Sequence, residues 1–111
     1  MIARRGAPVR VGSALRAGRL IPKRLRGLRA GAVVLKPREL MTWHSTQARE
    51  ELLIVLTGMV TLDIHVNGRR ATRKVRLRAG QCAWLRSRTR HCVRNHSTRT
   101  ARYVYVTGSA S

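Results

Sequence analysis

The stretch ELLIVLTGMVTLDIHVNG, residues 51–68, decides the fold. Its first half carries five consecutive aliphatic residues, Leu52 to Leu56, and closes on Gly58. A short apolar run of this composition, bounded by a glycine, reads as a buried strand. The second half alternates: Val60, Leu62, Ile64 and Val66 share one face, and Thr61, Asp63 and His65 share the other. That is the period of a strand, whose successive side chains point to opposite sides. The Asn67-Gly68 pair that follows is the strongest short hairpin signal, because both residues tolerate the positive φ that a tight primed turn needs.

The same pattern continues outward on both sides. AGAVVLKP (30–37) is a β-branched run stopped by Pro37, and RKVRLRAG (73–80) alternates until Gly80. QCAWL (81–85), HCVRN (91–95) and ARYVYVTG (101–108) follow. Seven or eight short, evenly spaced strands with no helical periodicity predict an all-β antiparallel sandwich or small barrel. Closing the sheet also hides the edges that such runs otherwise expose. No internal repeat appears.

At 111 residues the chain is of single-domain size. It is 43% hydrophobic, which excludes a disordered polar chain. With two Trp, two Tyr and no Phe, its core must be built from Val, Leu, Ile and Ala. The net charge is +20, from three lysines and 21 arginines against four carboxylates. Such a chain attracts polyanions. Its arginines, however, recur from Arg4 to Arg102 with no helix-turn-helix, zinc-finger spacing or aromatic stacking platform. Solvated arginine-rich faces, with only non-specific nucleic-acid contact, are therefore expected ahead of a dedicated nucleic-acid interface.

Residues 1–30 hold nine basic and no acidic residues and are broken by Gly6, Pro8, Gly12, Gly18, Pro22 and Gly27. They read as an irregular basic segment with one short edge strand near Val9–Val11. They lack both the apolar core of a signal peptide and the serine content of an organelle-targeting segment, so the expected location is cytoplasmic. No apolar run is long enough to span a bilayer. Cys82 and Cys92 make neither a disulfide framework nor a Cys-x-x-Cys metal spacing, and read as packed or surface thiols. Trp84 reads as core filler, with the wall of a binding pocket as the alternative.

Chemistry concentrates in two clusters. In WHSTQAREE (43–51), His44 and Thr46 share one face of an extended segment, and a polar turn separates them from Glu50 and Glu51. Glu51 stands at the root of the buried strand, where a carboxylate is costly unless a metal or an arginine meets it. Glu50 reads as a surface carboxylate. In the second cluster Gly80 is followed by His91 and then Asn95. His44, Glu51 and His91 can converge only if the sheet curls. Two histidines and a carboxylate suit either a three-ligand zinc site or the facial triad of non-haem iron enzymes, both with open positions for substrate. Taken singly, each has a plainer reading: a strand-end histidine, an arginine partner, a packed histidine. His65 and His96 fall outside both clusters, and His65 is expected at the surface.

Over residues 31–107 the chain resembles the cupins. Their first motif, G-x5-H-x-H-x(3,4)-E-x6-G, is matched in spacing by Arg38, His44, Thr46, Glu51 and Gly58. Their second, G-x5-P-x-G-x2-H-x3-N, is matched by Gly80, Arg86, Arg88, His91 and Asn95. Arg38, Arg86 and Arg88 replace a glycine, a proline and a glycine that shape turns, and Thr46 stands where a second histidine ligand would be. The resemblance implies an antiparallel double-stranded β-helix, or jelly-roll barrel, over 31–107, preceded by the basic segment 1–30 and followed by a tail at 108–111. It implies a divalent metal ion (Fe, Mn, Ni or Zn) on His44, Glu51 and His91. Asn95 would serve the turn rather than the chemistry. The implied partners are a small-molecule ligand, an anionic one among the options, and a second copy of the chain in a homodimer. Oxygenase or isomerase-type chemistry fits this reading, and so does a metal-free, non-catalytic barrel acting as a ligand-binding or sensor module. A basic nucleic-acid-associated protein is the third alternative.

Overall fold

The computed structural model describes residues 9–65 and 72–110. Nine strands run through the described residues: β1 Gly18–Arg19, β2 Leu28–Leu35, β3 Leu40–Ser45, β4 Arg49–Thr57, β5 Met59–His65, β6 Thr72–Arg78, β7 Cys82–Leu85, β8 Arg90–Arg94 and β9 Ala101–Ser109. All pairings are antiparallel, in a five-stranded sheet ordered β1-β2-β9-β4-β7 and a four-stranded sheet ordered β3-β8-β5-β6. The two sheets form the jelly-roll barrel that the resemblance implies, where the strand pattern alone predicts a sandwich or small barrel. No helix among the described residues is long and apolar enough to cross a membrane.

The alternation read in 51–68 is what closes the barrel. Leu53 and Val55 from β4 and Val60 and Leu62 from β5 point inward and are essentially fully buried. They meet Leu35, Leu77, Leu85, Val93, Ala101 and Tyr103 in one apolar cluster. Each aliphatic side chain so buried contributes about 1.5–3 kcal/mol. Gly58 turns the chain from β4 into β5 at φ 78°. A side chain there would stand 2.9 Å from the Ala101 Cα and the Thr100 carbonyl, so the turn and the close approach both require glycine. The Asn67-Gly68 turn lies outside the described residues. On either side of it β5 and β6 pair in register from Met59↔Arg78 to His65↔Thr72.

Two features differ from expectation. Residues 9–13 form no strand; the short edge strand is Gly18–Arg19, which pairs with Ala32 and Gly31. Proximity to β2, rather than the β-branched Val9 and Val11, decides which residues add to the sheet edge. Trp84 is 80% exposed, not core filler. It lies on the outer face of the edge strand β7, where Ala83 and Leu85 take the inward positions. Its cross-strand partner is Leu52, which in turn pairs with Val106. Ile54 and Val104 form the adjacent pair, so the outer face of this sheet carries an apolar strip.

Asp63 points away from the barrel interior yet is buried, because Arg94 (2.8 Å) and Lys74 (3.2 Å) fold over it. On the same outer face the Trp43 and His65 rings meet edge-on at 4.6 Å. They come from β3 and β5, which flank β8, so the two rings roof β8, where Cys92 is wholly buried. His65 is thus half-buried against an indole, and Cys82 is the exposed thiol.

Candidate metal centre

Strands β3, β4 and β8 bring His44, Glu51 and His91 together at one end of the barrel. One ligand atom from each lies within 4.8 Å of the others. His44 faces His91 directly across β3 and β8, and their ring centroids are 4.2 Å apart. This pairing depends on a bulge. Leu40 and Met41 pair with Arg94 and Val93, but the register slips by one before His44 pairs with His91. An extra residue in one strand re-aims the side chains that follow it. Met41 and His44 therefore both face the interior, and Trp43 is turned outward onto His65.

Hydrogen bonds fix both imidazoles. His44 Nδ1 is 2.8 Å from the Thr42 carbonyl, and His91 Nδ1 is 3.1 Å from the Thr89 carbonyl. A carbonyl oxygen only accepts, so each Nδ1 carries a proton, which in the neutral imidazole makes Nε2 the lone-pair nitrogen. A backbone carbonyl orienting the non-ligating nitrogen is the usual support of a metal-binding histidine. His91 Nε2 is completely buried and has no hydrogen-bond partner among the described residues. It sits 3.5 Å from Glu51 Oε2, and Glu51 is itself only 9% exposed. An ion bound at about 2.0–2.2 Å to each donor holds neighbouring donors roughly 3.0–3.5 Å apart. The orphaned nitrogen and the adjacent carboxylate have that spacing, and His44, within 4.8 Å of both, completes a nitrogen-and-oxygen donor set of the kind a borderline divalent cation accepts.

Thr46, at the place of a further histidine, is not part of the donor group. Its hydroxyl donates to the Arg86 carbonyl (2.7 Å) and accepts from the Thr89 N–H (3.0 Å). At 6% exposure it ties the end of β3 to the turn between β7 and β8. Asn95 is likewise structural. Its amide donates to the Leu35 and Arg99 carbonyls and its oxygen accepts from the Ser97 N–H and hydroxyl, which satisfies the buried side chain fully.

The three residues open onto a cavity of about 890 Å3. Its walls include Tyr103, Tyr105 and Thr107 from β9, which the sequence alone did not single out. Burial pushes the Tyr103 hydroxyl far above its ordinary pKa, and the charges of Glu51 and Tyr105 add to the shift. It is therefore a neutral phenol at any working pH. Tyr105 lies across its strand partner Gly31: a Cβ on that glycine would be 2.5 Å from the tyrosine hydroxyl. The outer wall comes from the N-terminal segment, through Arg19, Lys23, Arg26 and Arg29. Arg49 completes the cationic lining, whereas Arg86, Arg88 and Arg90 are exposed and line no part of this cavity. No residue pattern in the segment before Leu28 marks it as a cavity wall; charge was its only signal.

The turns explain two of the departures in the motifs. Arg38 and Arg88, which stand at glycine positions of the motifs, have φ 69° and 58°. The backbone keeps the left-handed turn while the residue no longer favours it.

Comparison with known proteins agrees with this geometry. The family model described as the Cupin domain matches residues 31–107. No curated protein matches the sequence. Among solved structures the chain is similar to a Cupin 2 conserved barrel domain protein from Salinispora arenicola CNS-205, at 25% identity and TM-score 0.68, over 86% of this chain and 76% of that one. It is similar to the Drosophila melanogaster CENP-C cupin domain, at 16% identity and TM-score 0.66, over 79% and 65% of the two chains. A predicted oxalate decarboxylase from Thermotoga maritima matches at 18% identity and TM-score 0.63, over 73% and 65%. The chain thus spans just under two thirds of the last two. With both motifs in register, a family match across most of the chain and the jelly-roll architecture, this protein belongs to the cupin domain family.

Proposed function

We propose that the protein is a small-molecule-binding cupin barrel that holds one divalent metal ion (Fe, Mn, Ni or Zn) on His44, Glu51 and His91. The observation that carries this reading is His91 Nε2, a wholly buried nitrogen 3.5 Å from the Glu51 carboxylate that has no hydrogen-bond partner among the described residues. Leaving such an atom unsatisfied costs about 1–3 kcal/mol, which a metal would relieve. Three protein donors leave open positions, and a bound metal there supplies Lewis-acid polarisation of a ligand oxygen, the basis of isomerase or oxygenase-type chemistry. The chain's own part is to present two oriented imidazoles and a carboxylate and to offer the neutral Tyr103 hydroxyl.

Elemental analysis of protein purified without a histidine tag tests the reading. About one equivalent of metal is expected by the linkage of ligand and stability, and chelation should lower the melting temperature, since metal at 100 times its Kd stabilises by about 2.7 kcal/mol. Glu51→Ala and His91→Ala should each abolish retention. Wild-type protein that retains no divalent metal, and melts identically with and without chelator, would leave the metal-free ligand-binding module as the function.

Thr46 favours that second reading, because its hydroxyl is committed to the backbone and adds no donor. The apolar outer strip of Leu52, Ile54, Val104 and Val106, next to the exposed Trp84, supports a homodimer as the working form, tested by light scattering of Leu52→Glu against wild type. Nucleic acid is met only non-specifically through the +20 charge, so its binding should fall steeply with salt and survive His91→Ala.

A further inference from the structure

We propose that the cavity takes a small organic acid and that Arg49 reads its anionic group. The inference deepens the reading above: it rests on the same cavity but not on a metal being present.

Among the described residues five cations line the cavity, Arg19, Lys23, Arg26, Arg29 and Arg49, and the only lining carboxylate is Glu51. Among the described residues none of the five forms an ion pair. Unpaired arginines are common on a +20 surface, so this alone decides nothing. Arg49 is different because it is fixed. It is half-buried, its Nε donates to the Thr107 hydroxyl (2.8 Å), and its Nη2 donates to the Thr107 carbonyl (3.0 Å) and, at 3.5 Å, to the Gly27 carbonyl. These bonds hold the guanidinium plane and leave both N–H groups of Nη1 without an acceptor among the described residues. A half-buried guanidinium held in this way is a pre-organised receptor for a carboxylate or phosphate oxygen, whose geometry it matches.

Its position relative to the metal-type donors follows from the ladder. Arg49 and Glu51 are two apart on β4 and share the inward face, about 6.6 Å apart along the strand. Thr107, which anchors Arg49, is the direct cross-strand partner of Glu51. The free edge of Arg49 therefore lies one side-chain layer from the His44, Glu51 and His91 group. A ligand can meet both when one end is anionic and the other carries an oxygen donor or simply fills the barrel mouth. Cavity size and apolar wall residues (Leu25, Met41, Val93, Tyr105) call for a carbon body rather than a bare inorganic anion. The four cations of the N-terminal segment concentrate anions at the entrance.

The test uses calorimetric titration of metal-free full-length protein at physiological salt with 3-phenylpropionate, 2-phenylethylphosphonate and the neutral 3-phenylpropionamide. At least one anion should bind, about tenfold or more tightly than the amide, and the tighter of the two identifies the anionic group read. Arg49→Gln should weaken that anion about tenfold, whereas Arg76→Gln, an equal loss of charge at an exposed site on β6, should change it by less than about twofold. The proposal is overturned if the amide binds as well as the anions, if the two glutamine variants behave alike, or if no probe binds at millimolar concentration. The amide comparison needs no variant, so a poorly folding Arg49→Gln leaves the test intact. Loss of metal retention with Arg49-dependent anion binding preserved would remove the metal and keep this site.

Discussion

His44 stands opposite His91 because β3 carries one residue more than its partner strand between Met41 and His44. An uninterrupted ladder would put Trp43 opposite His91 and turn His44 to the outer face. The bulge also supplies the Thr42 carbonyl that accepts the His44 Nδ1 proton. One local irregularity thus selects which side chain enters the cavity and which of its nitrogens is left free.

Thr46 marks the first prediction. If its hydroxyl is a structural tie and not a ligand, Thr46→Val should lower stability by about 1–3 kcal/mol, since the Arg86 carbonyl and the Thr89 N–H lose their partner. Metal retention per folded molecule should be unchanged. Urea melts and elemental analysis on the same preparation check both halves, and a variant of normal stability that loses its metal would make Thr46 a ligand.

At Arg38 and Arg88 the expected effect has the opposite sign. Both adopt left-handed backbone conformations, and both side chains are exposed. A non-glycine residue there costs about 1–2 kcal/mol, partly offset by the greater freedom of glycine in the unfolded chain. Arg38→Gly and Arg88→Gly should therefore each stabilise by about 0.5–1 kcal/mol, roughly additively, as read from denaturation midpoints. Loss of stability in both would mean that the arginine side chains do more than occupy solvent.

Acid stability should trace largely to one carboxylate. Burial pushes the Asp63 carboxyl up, but the hydrogen bonds and charges of Arg94 and Lys74 outweigh it and leave its pKa lowered. A carboxylate depressed in the folded state contributes stability that is present above about pH 4 and is lost as the pH falls through the folded value. Asp63→Asn should cost about 1–3 kcal/mol at neutral pH and flatten the fall in melting temperature below pH 4. With only four carboxylates in the chain, few other groups can supply that slope. An unchanged acid limb in the variant would contradict the assignment.

Gly31 controls the cavity wall from behind. Gly31→Ala places a methyl group 2.5–2.7 Å from the Tyr105 hydroxyl and ring, so the ring must swing away. A cost of about 1–3 kcal/mol is expected. Gly108→Ala, whose Cβ would meet nothing closer than the Gly27 carbonyl at 3.8 Å, is the control and should be nearly silent. Equal effects of the two substitutions in urea melts would argue against the Tyr105–Gly31 packing.

Much of this was legible in the sequence, and the reasons it stopped where it did are physical. Strand periodicity and glycine punctuation reveal β4, β5 and β9 because one face of each must be buried. Motif spacing places His44, Glu51 and His91 near one another because strand length fixes which end of the barrel each residue reaches. The bulge in β3 leaves no mark in TWHS, since any residue can occupy it. Trp84 illustrates the opposite limit: an indole in an apolar run looks internal, and only the position of β7 at the sheet edge turns it outward. Arg49 was hidden among 21 arginines, because being held by Thr107 is a property of cross-strand register and not of local sequence.

The two walls of the cavity have separate origins in the chain. His44, Glu51 and His91 are carried by barrel strands whose register the whole core enforces, whereas Arg19, Lys23, Arg26 and Arg29 precede or begin β2 and contribute nothing to that core. Heredity can therefore rewrite the entrance without disturbing the interior. Substitution at these four positions alters the charge of the entrance while the register that sets His44 opposite His91 is kept.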